Sequence, residues 1–299
     1  MNEPPKLDTL SALAWLVEAG ADEAIGETPV DRFAKKNPHP PLEGGSKNPS
    51  VAKNSSGRGT ADAQAPPIRS SPPAMNTLPH KGGGKEKEEA DGIGNAQAVA
   101  RAATNLAELK AALEGFEGCG LKRLATNTVF ADGNPASRIM FIGEAPGRDE
   151  DRMGLPFVGR AGKLLDKMLA AIHLDRTGAY ITNVLNWRPP DNRDPSPEEA
   201  AMCLPFLRRH IELVNPGIIV LLGAVAARHV MGFSEGIMKL RGRWLEYRVG
   251  EAMIPVLPTL HPAYLLRQPA HKKLAWRDLQ AAEQKIISLG LLEERAAVR

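Results

Sequence analysis

The chain has 299 residues, 42% of them hydrophobic and 24% charged, with a formal net charge of +3. That is enough apolar material for a sizeable core in one or two domains, and a balance that permits a nucleic-acid partner without demanding one. Two cysteines exclude a disulfide framework and a cysteine-only metal site, so the expectation is a reduced, cytoplasmic chain. The opening "MNEPPKLDTL" lacks the basic-then-apolar pattern of a secretory leader, and no apolar run is long enough to span a bilayer.

Leu7, Leu10, Leu13, Leu16 and Val17 recur at helical spacing, which predicts an amphipathic helix within residues 1–36. Residues 37–94 turn to Pro, Gly, Ser, Lys and Asn, as in "KNPHPPLEGGSKNPS" and "HKGGGKEKEEADG". Such a stretch buries too little apolar surface to offset its ordering entropy, so it reads as a disordered linker. Residues 95–299 form the expected folded body. One helix is predicted from Asn95, with Val99, Leu106, Leu109 and Leu113 on one face and Gly115 near its end. Strands and helices then alternate: Ile139–Gly143, a helix over Lys163–Ala171, Tyr180–Leu185, a helix over Pro197–Val214 capped by Ser196, Ile218–Leu222, and a short helix over Ala224–Met231. "WLEYRV" and "IPVLPTL" add strands, and Lys272–Leu289 a closing helix. The alternation argues for an α/β fold whose parallel sheet is covered on both faces.

In such sheets ligands bind beyond the carboxyl ends of the strands. There the sequence places Gly143-Glu144-Ala145-Pro146-Gly147, then Asn183 and "NWRPPDNRDP", then Gly223, then "HPAYLLRQP". Taken singly, each has an ordinary reading. The glycines permit tight turns. Asn183 caps a strand end, His261 sits in a turn, Phe157 is core, and Arg188, Arg193, Arg208 and Arg209 form a solvated face. Their convergence on one rim marks the candidate site.

"GEAPGRDED", "GLPFVGRAGKLLDKML", "YITNVLNWRPPDNRDPSPEE", "CLPFL" and "HPAYLLRQP" occur in that order between Cys119 and Leu279. Together they resemble family four of the uracil-DNA glycosylase superfamily. The resemblance implies a three-layer α/β/α sandwich around a central, mainly parallel four-stranded sheet. It also implies an enzyme that flips uracil out of single- or double-stranded DNA and hydrolyses its glycosidic bond, leaving an abasic site for base-excision repair. A monomer without membrane attachment is expected. Gly143 and Ala145 match the pocket border, Phe157 the aromatic that stacks on the base, Asn183 the amide that reads its edge, and His261 the histidine near a uracil carbonyl. "AYLLR" matches the DNA-entering loop, with Leu265 or Leu266 as wedge and Arg267 on phosphate; Arg160 and Arg193 are further candidate DNA contacts.

Family-one relatives keep Asp and Tyr where this chain has Ala145 and Gly147. The residue that handles water is therefore sought in Glu144 first, with Glu150 and Asp151 next, whether as base or as stabiliser of the sugar cation. Family four also implies four cysteines around an iron–sulfur cluster. Here Cys119 and Cys203 match two of them, while Phe116 and Trp187 stand at the other two. Two thiolates cannot complete a four-cysteine cluster, so no cofactor is expected. "WRPPDNRDPSPEE" has no histidine, so covalent capture of the sugar is not expected. The alternatives are a same-fold glycosylase for another deaminated base and a DNA- or base-binding relative that does not cut.

Overall fold

The computed structural model describes residues 83–292, with side chains from Asp91 onward. The helix expected near the N-terminus lies outside the described residues.

Helix α1 (Gly83–Ala102) reaches back into the stretch whose composition reads as linker. Tertiary packing overrides composition there. Ala96 and Ala100 are fully enclosed, and a Cβ at Gly92 would sit 2.7 Å from the flexible Met202 methyl, so small residues let α1 lie close against the helix that carries Met202. The single helix expected from Asn95 is two. The break falls before α2 (Leu106–Gly115), where Asn105 adopts extended backbone and its side chain accepts from the Glu108 N–H at 2.9 Å. Glu108 in turn accepts from the Thr104 N–H at 2.7 Å. This local capping of the first-turn donors competes with continuing the helix.

The remaining elements are β1 (Asp132–Gly133), β2 (Ile139–Gly143), α3 (Arg148–Met153), α4 (Arg160–Ala170), β3 (Tyr180–Asn183), α5 (Pro197–Val214), β4 (Ile218–Leu222), α6 (Ala224–Met231), α7 (Ile237–Leu240), β5 (Leu245–Val249), β6 (Ala252–Thr259), α8 (Pro262–Arg267) and α9 (Lys272–Ser288). The sheet has six strands in the order β1-β3-β2-β4-β6-β5. Its four central strands are parallel, as the alternation requires, and an antiparallel strand closes each edge. Strands β2, β3 and β4 are buried along their whole length, the pattern of a sheet covered twice. Alternate residues feed two cores. Met140, Ile142, Ile219 and Leu221 pack toward α1, α2 and α5, whereas Phe141, Ile181, Val220 and Leu222 pack toward α4 and α9. The result is the expected three-layer α/β/α arrangement.

Helix α5 shows how locally some of this is decided. Ser196 accepts from the Glu199 N–H at 3.2 Å, Glu199 reaches back to the Ser196 N–H at 2.8 Å, and Pro197 opens the first turn. Beneath the sheet's carboxyl edge, buried Asp278 of α9 is bound by the Arg241 guanidinium and by the Thr259 hydroxyl at 2.7 Å. This braces the end of β6 just before His261. No helix among the described residues is long and apolar enough to cross a membrane.

Candidate active site

The loops that leave β2, β3 and β6 enclose a cavity of about 350 Å³ at the carboxyl edge of the sheet. Its wall includes Glu144, Ala145, Phe157, Asn183, His261 and Arg267. Parallel register sets the first contact: Gly143 of β2 and Asn183 of β3 are direct partners. A Cβ on Gly143 would collide with Asn183 Oδ1 and with the Phe157 ring. Gly143 is thus the gap into which the amide and the ring close, and it lies behind the wall. Asn183 is 2% exposed, and its Oδ1 is buried without a hydrogen-bond partner. An orphaned buried acceptor costs about 1–3 kcal/mol. Such a group at a cavity wall asks for a donor from whatever enters.

Phe157 is buried, with φ of 55°, a backbone region that bulky side chains rarely occupy. Strain of about 1–3 kcal/mol is retained only where surroundings over-determine the conformation. Its ring faces His261, with centroids 5.6 Å apart and planes tilted by 31°. His261 caps α8, its Nδ1 accepting from the Ala263 N–H at 3.1 Å. That contact leaves the ring proton to Nε2. Burial of the ring, and then the nearby Arg267 charge, push its pKa down to about 4, so a neutral donor faces the cavity at pH 7. Gly223, with φ of 96°, provides the space: a Cβ there would sit 2.9 Å from His261 Cβ.

Glu144 follows β2 directly, its backbone held by the bond from Leu185 N–H to its carbonyl at 3.0 Å. Burial, and then the negative charge of Asp194, push its pKa up to about 6; Arg228 and Arg267 oppose the shift. Arg267 therefore favours both the ionised carboxylate and the neutral imidazole. Asp194 also lines the cavity. Sequence reasoning missed it, and its only signal was an acid inside the proline-rich turn after β3.

The other two acids do different work. Glu150 borders the cavity, but its carboxyl oxygens accept from the N–H groups of Gly147 (3.1 Å), Val158 (3.0 Å) and Gly159 (2.9 Å). It ties the glycine turn to the loop carrying Phe157. Asp151 is outside the cavity wall and accepts from Thr126 N–H at 2.8 Å and Asn127 N–H at 3.2 Å. Both carboxylates are tied to backbone donors, and of the two only Glu150 borders the cavity. Among the basic candidates, Arg267 is exposed at the mouth and Arg160 is exposed on α4, away from the wall. Arg193 is on the wall, but its guanidinium grips Glu199 through contacts of 2.5 and 2.8 Å.

The two leucines of "AYLLR" separate. Leu265 is fully enclosed in the core shared with α4 and α9, whereas Leu266 is 38% exposed. Leu265 is therefore unavailable as a wedge. Leu265→Ala is expected to lower unfolding stability by about 2–5 kcal/mol in a urea titration. Leu266→Ala should stay within about 0.5 kcal/mol of the parent.

Phe116, Cys119, Trp187 and Cys203 all lie in one apolar cluster. Phe116 packs on Phe206 with ring centroids 5.1 Å apart, and Trp187 Nε1 donates to Thr128 Oγ1 at 3.0 Å. Both cysteines are free and buried, and the neighbouring Cys119 thiol together with burial pushes Cys203 well above its ordinary value. Two thiols beside two aromatic rings do not fit a cluster that needs four cysteine ligands. Among the described residues, no group of three or more His, Cys, Asp or Glu side chains is placed to hold a metal ion.

The profile of the Uracil DNA glycosylase superfamily matches residues 130–280. The chain is 43% identical over 171 residues to the type-4 uracil-DNA glycosylase of Thermotoga maritima, covering 56% of this chain and 88% of that protein. It is 40% identical over 189 residues to the enzyme of the same name from Sulfurisphaera tokodaii (62% of this chain, 86% of that protein). The corresponding figures for Archaeoglobus fulgidus are 45% over 155 residues, 50% and 78%. The chain belongs to the uracil DNA glycosylase superfamily.

Proposed function

We propose that this chain is a monofunctional uracil-DNA glycosylase of base-excision repair, working as a cytoplasmic monomer on uracil in single- or double-stranded DNA. Its relatives carry the type-4 name, and the observation that supports the base reading best is the buried, orphaned acceptor of Asn183, a residue of the cavity wall. Uracil supplies what that acceptor lacks: its N3–H donates to Oδ1, and its O4 accepts from the Asn183 amide. Cytosine reverses both positions and leaves the buried amide mismatched. Phe157 stacks on the flipped base, a contact of about 1–3 kcal/mol in comparable sites. Together these offset the few kcal/mol needed to extrude the nucleotide.

When the bond from C1′ to N1 breaks, its electron pair leaves with uracil and C1′ becomes oxocarbenium-like. The Nε2–H of neutral His261 donates to O2, where the negative charge gathers. Glu144, mostly ionised at pH 7, stabilises the cation and accepts a hydrogen bond from the water that adds to C1′ and then releases its proton. Leu266 fills the gap in the stack, and Arg267 contacts phosphate.

The test is incubation with uracil-containing single- and double-stranded oligonucleotides, followed by alkali. Scission at uracil only after alkali is expected. Intact strands would sink the reading, and cutting before alkali would remove the word monofunctional. A matched series carrying hypoxanthine or xanthine tests the one reading that keeps the chemistry but changes the base.

A further inference from the structure

Arg176 lies in the loop between α4 and β3, seven residues before Asn183, and is not part of the cavity wall. Its guanidinium donates from Nη2 to the Phe157 carbonyl and from Nη1 to the Pro156 carbonyl at 3.1 Å. Two carboxylates hold that guanidinium in place: Asp132 of β1 on Nη1, and Asp166 of α4 on Nε at 2.8 Å. All three guanidinium nitrogens are therefore engaged: Nε with one carboxylate, Nη1 with the other carboxylate and the Pro156 carbonyl, and Nη2 with the Phe157 carbonyl.

That loop carries the strained residue of the site. Phe157 has φ of 55°, and a Cβ on Gly162 of α4 would collide with the Phe157 carbonyl. The missing side chain at Gly162 lets the carbonyl turn inward against α4, and the guanidinium meets it there. The edge strand β1 serves the same end. It is two residues long, and Gly133, with φ of 90°, is packed so that a Cβ would come 2.9 Å from the Arg176 carbonyl. This brings Asp132 to the guanidinium.

We infer that Arg176, anchored by Asp132 and Asp166, is a positioning residue that holds the backbone of Phe157 in its left-handed conformation and so presents the ring to the flipped base. The inference rests on the stacking role proposed for Phe157. An arginine suits the task because its planar fork reaches two carbonyls at fixed separation, which a lysine cannot do. A ring displaced by about 1 Å loses up to about a hundredfold in rate.

The experiment is a double-mutant cycle on single-turnover excision at saturating uracil-containing single strands, with thermal midpoints recorded alongside. Arg176→Met should slow excision about 10- to 100-fold when Phe157 is present and less than about threefold when it is combined with Phe157→Ala. Arg176→Lys should recover only part of the rate. Affinity for abasic product strands should change less than about threefold, because the wedge and phosphate contacts are untouched. A loss from Arg176→Met that is equal in both backgrounds overturns the inference, since a general loosening of the fold would not depend on Phe157. If Arg176→Met fails to fold, the pair Asp132→Asn and Asp166→Asn is read in the same two backgrounds with the same criteria. Full activity in Phe157→Ala alone sinks the stacking reading and this inference with it, whereas a slow Phe157→Ala whose loss multiplies with that of Arg176→Met sinks this inference only.

Discussion

Glu144→Gln is expected to slow single-turnover uracil excision by about 10²- to 10³-fold, the range for removing one preorganised group that stabilises transition-state charge. It should also abolish the acid limb of the pH–rate profile. With a pKa of about 6, raised first by burial and then by Asp194, the parent rate should climb tenfold per pH unit below 6 and level off above it. Gln carries no ionisable proton, so the variant's residual rate should be flat across that range. Asp194→Asn removes the neighbouring negative charge and should move the inflection to lower pH. A parent profile without an inflection between pH 5 and 7 would take Glu144 out of its role.

The same shift has a sign for stability. The folded carboxyl holds its proton more tightly than the unfolded one, so its contribution is full below about pH 4.5 and is lost as pH rises through about 6. Ionised Glu144 is therefore a cost to the fold at neutral pH, and Glu144→Gln should be the more stable protein there by about 1–2 kcal/mol, with the difference fading in acid. Activity and stability are expected to move in opposite directions at this one position, which separates a catalytic loss from simple misfolding.

Asn183→Ala is the second large effect. On the proposed reading it removes two hydrogen bonds to the base, each worth about 1–3 kcal/mol when its partner is left buried, so excision should fall about 10²- to 10³-fold. Asn183→Asp should do more than slow the enzyme: a carboxylate accepts but cannot donate to O4, and it can accept from the exocyclic amine of cytosine. Selectivity for uracil over cytosine should shrink accordingly, measured as the ratio of single-turnover rates on matched oligonucleotides. An unchanged ratio would show that another group reads the base edge.

What the sequence disclosed and what it withheld divide by range. The capping box at Ser196 and Glu199, with Pro197, is a contact within one turn, and α5 begins where that pattern places it. The buried strands were legible because a sheet covered on both faces demands continuous apolar runs. The break at Asn105 carried an equally local signal, a Thr-Asn pair followed by Glu108, which the apolar periodicity of the flanking helix outweighed. The acids were harder. Glu144, Glu150 and Asp151 lie within eight residues on one turn and its helix, and nothing local says which faces the cavity. Backbone N–H groups of Val158, Gly159, Thr126 and Asn127 claim two of them, and those partners are settled only by the fold. Leu265 and Leu266 separate for the same reason, since the core under α8 belongs to α4 and α9. Arg176 had no sequence signal, because its meaning depends on two carbonyls and two carboxylates brought from elsewhere in the chain.

The glycines around the cavity also say something about heredity. At Gly143, Gly147, Gly162 and Gly223 the added atom of an alanine would press on Asn183, Glu150, Phe157 or His261, so a single methyl in any of these places reaches a group of the pocket. Every one-base change of a glycine codon that alters the residue adds at least that much. A gene for this protein thus carries a cluster of codons at which a residue change is expected to disturb the pocket. A protein of the kind that limits mutation elsewhere in a genome is exposed to mutation of its own at these few codons.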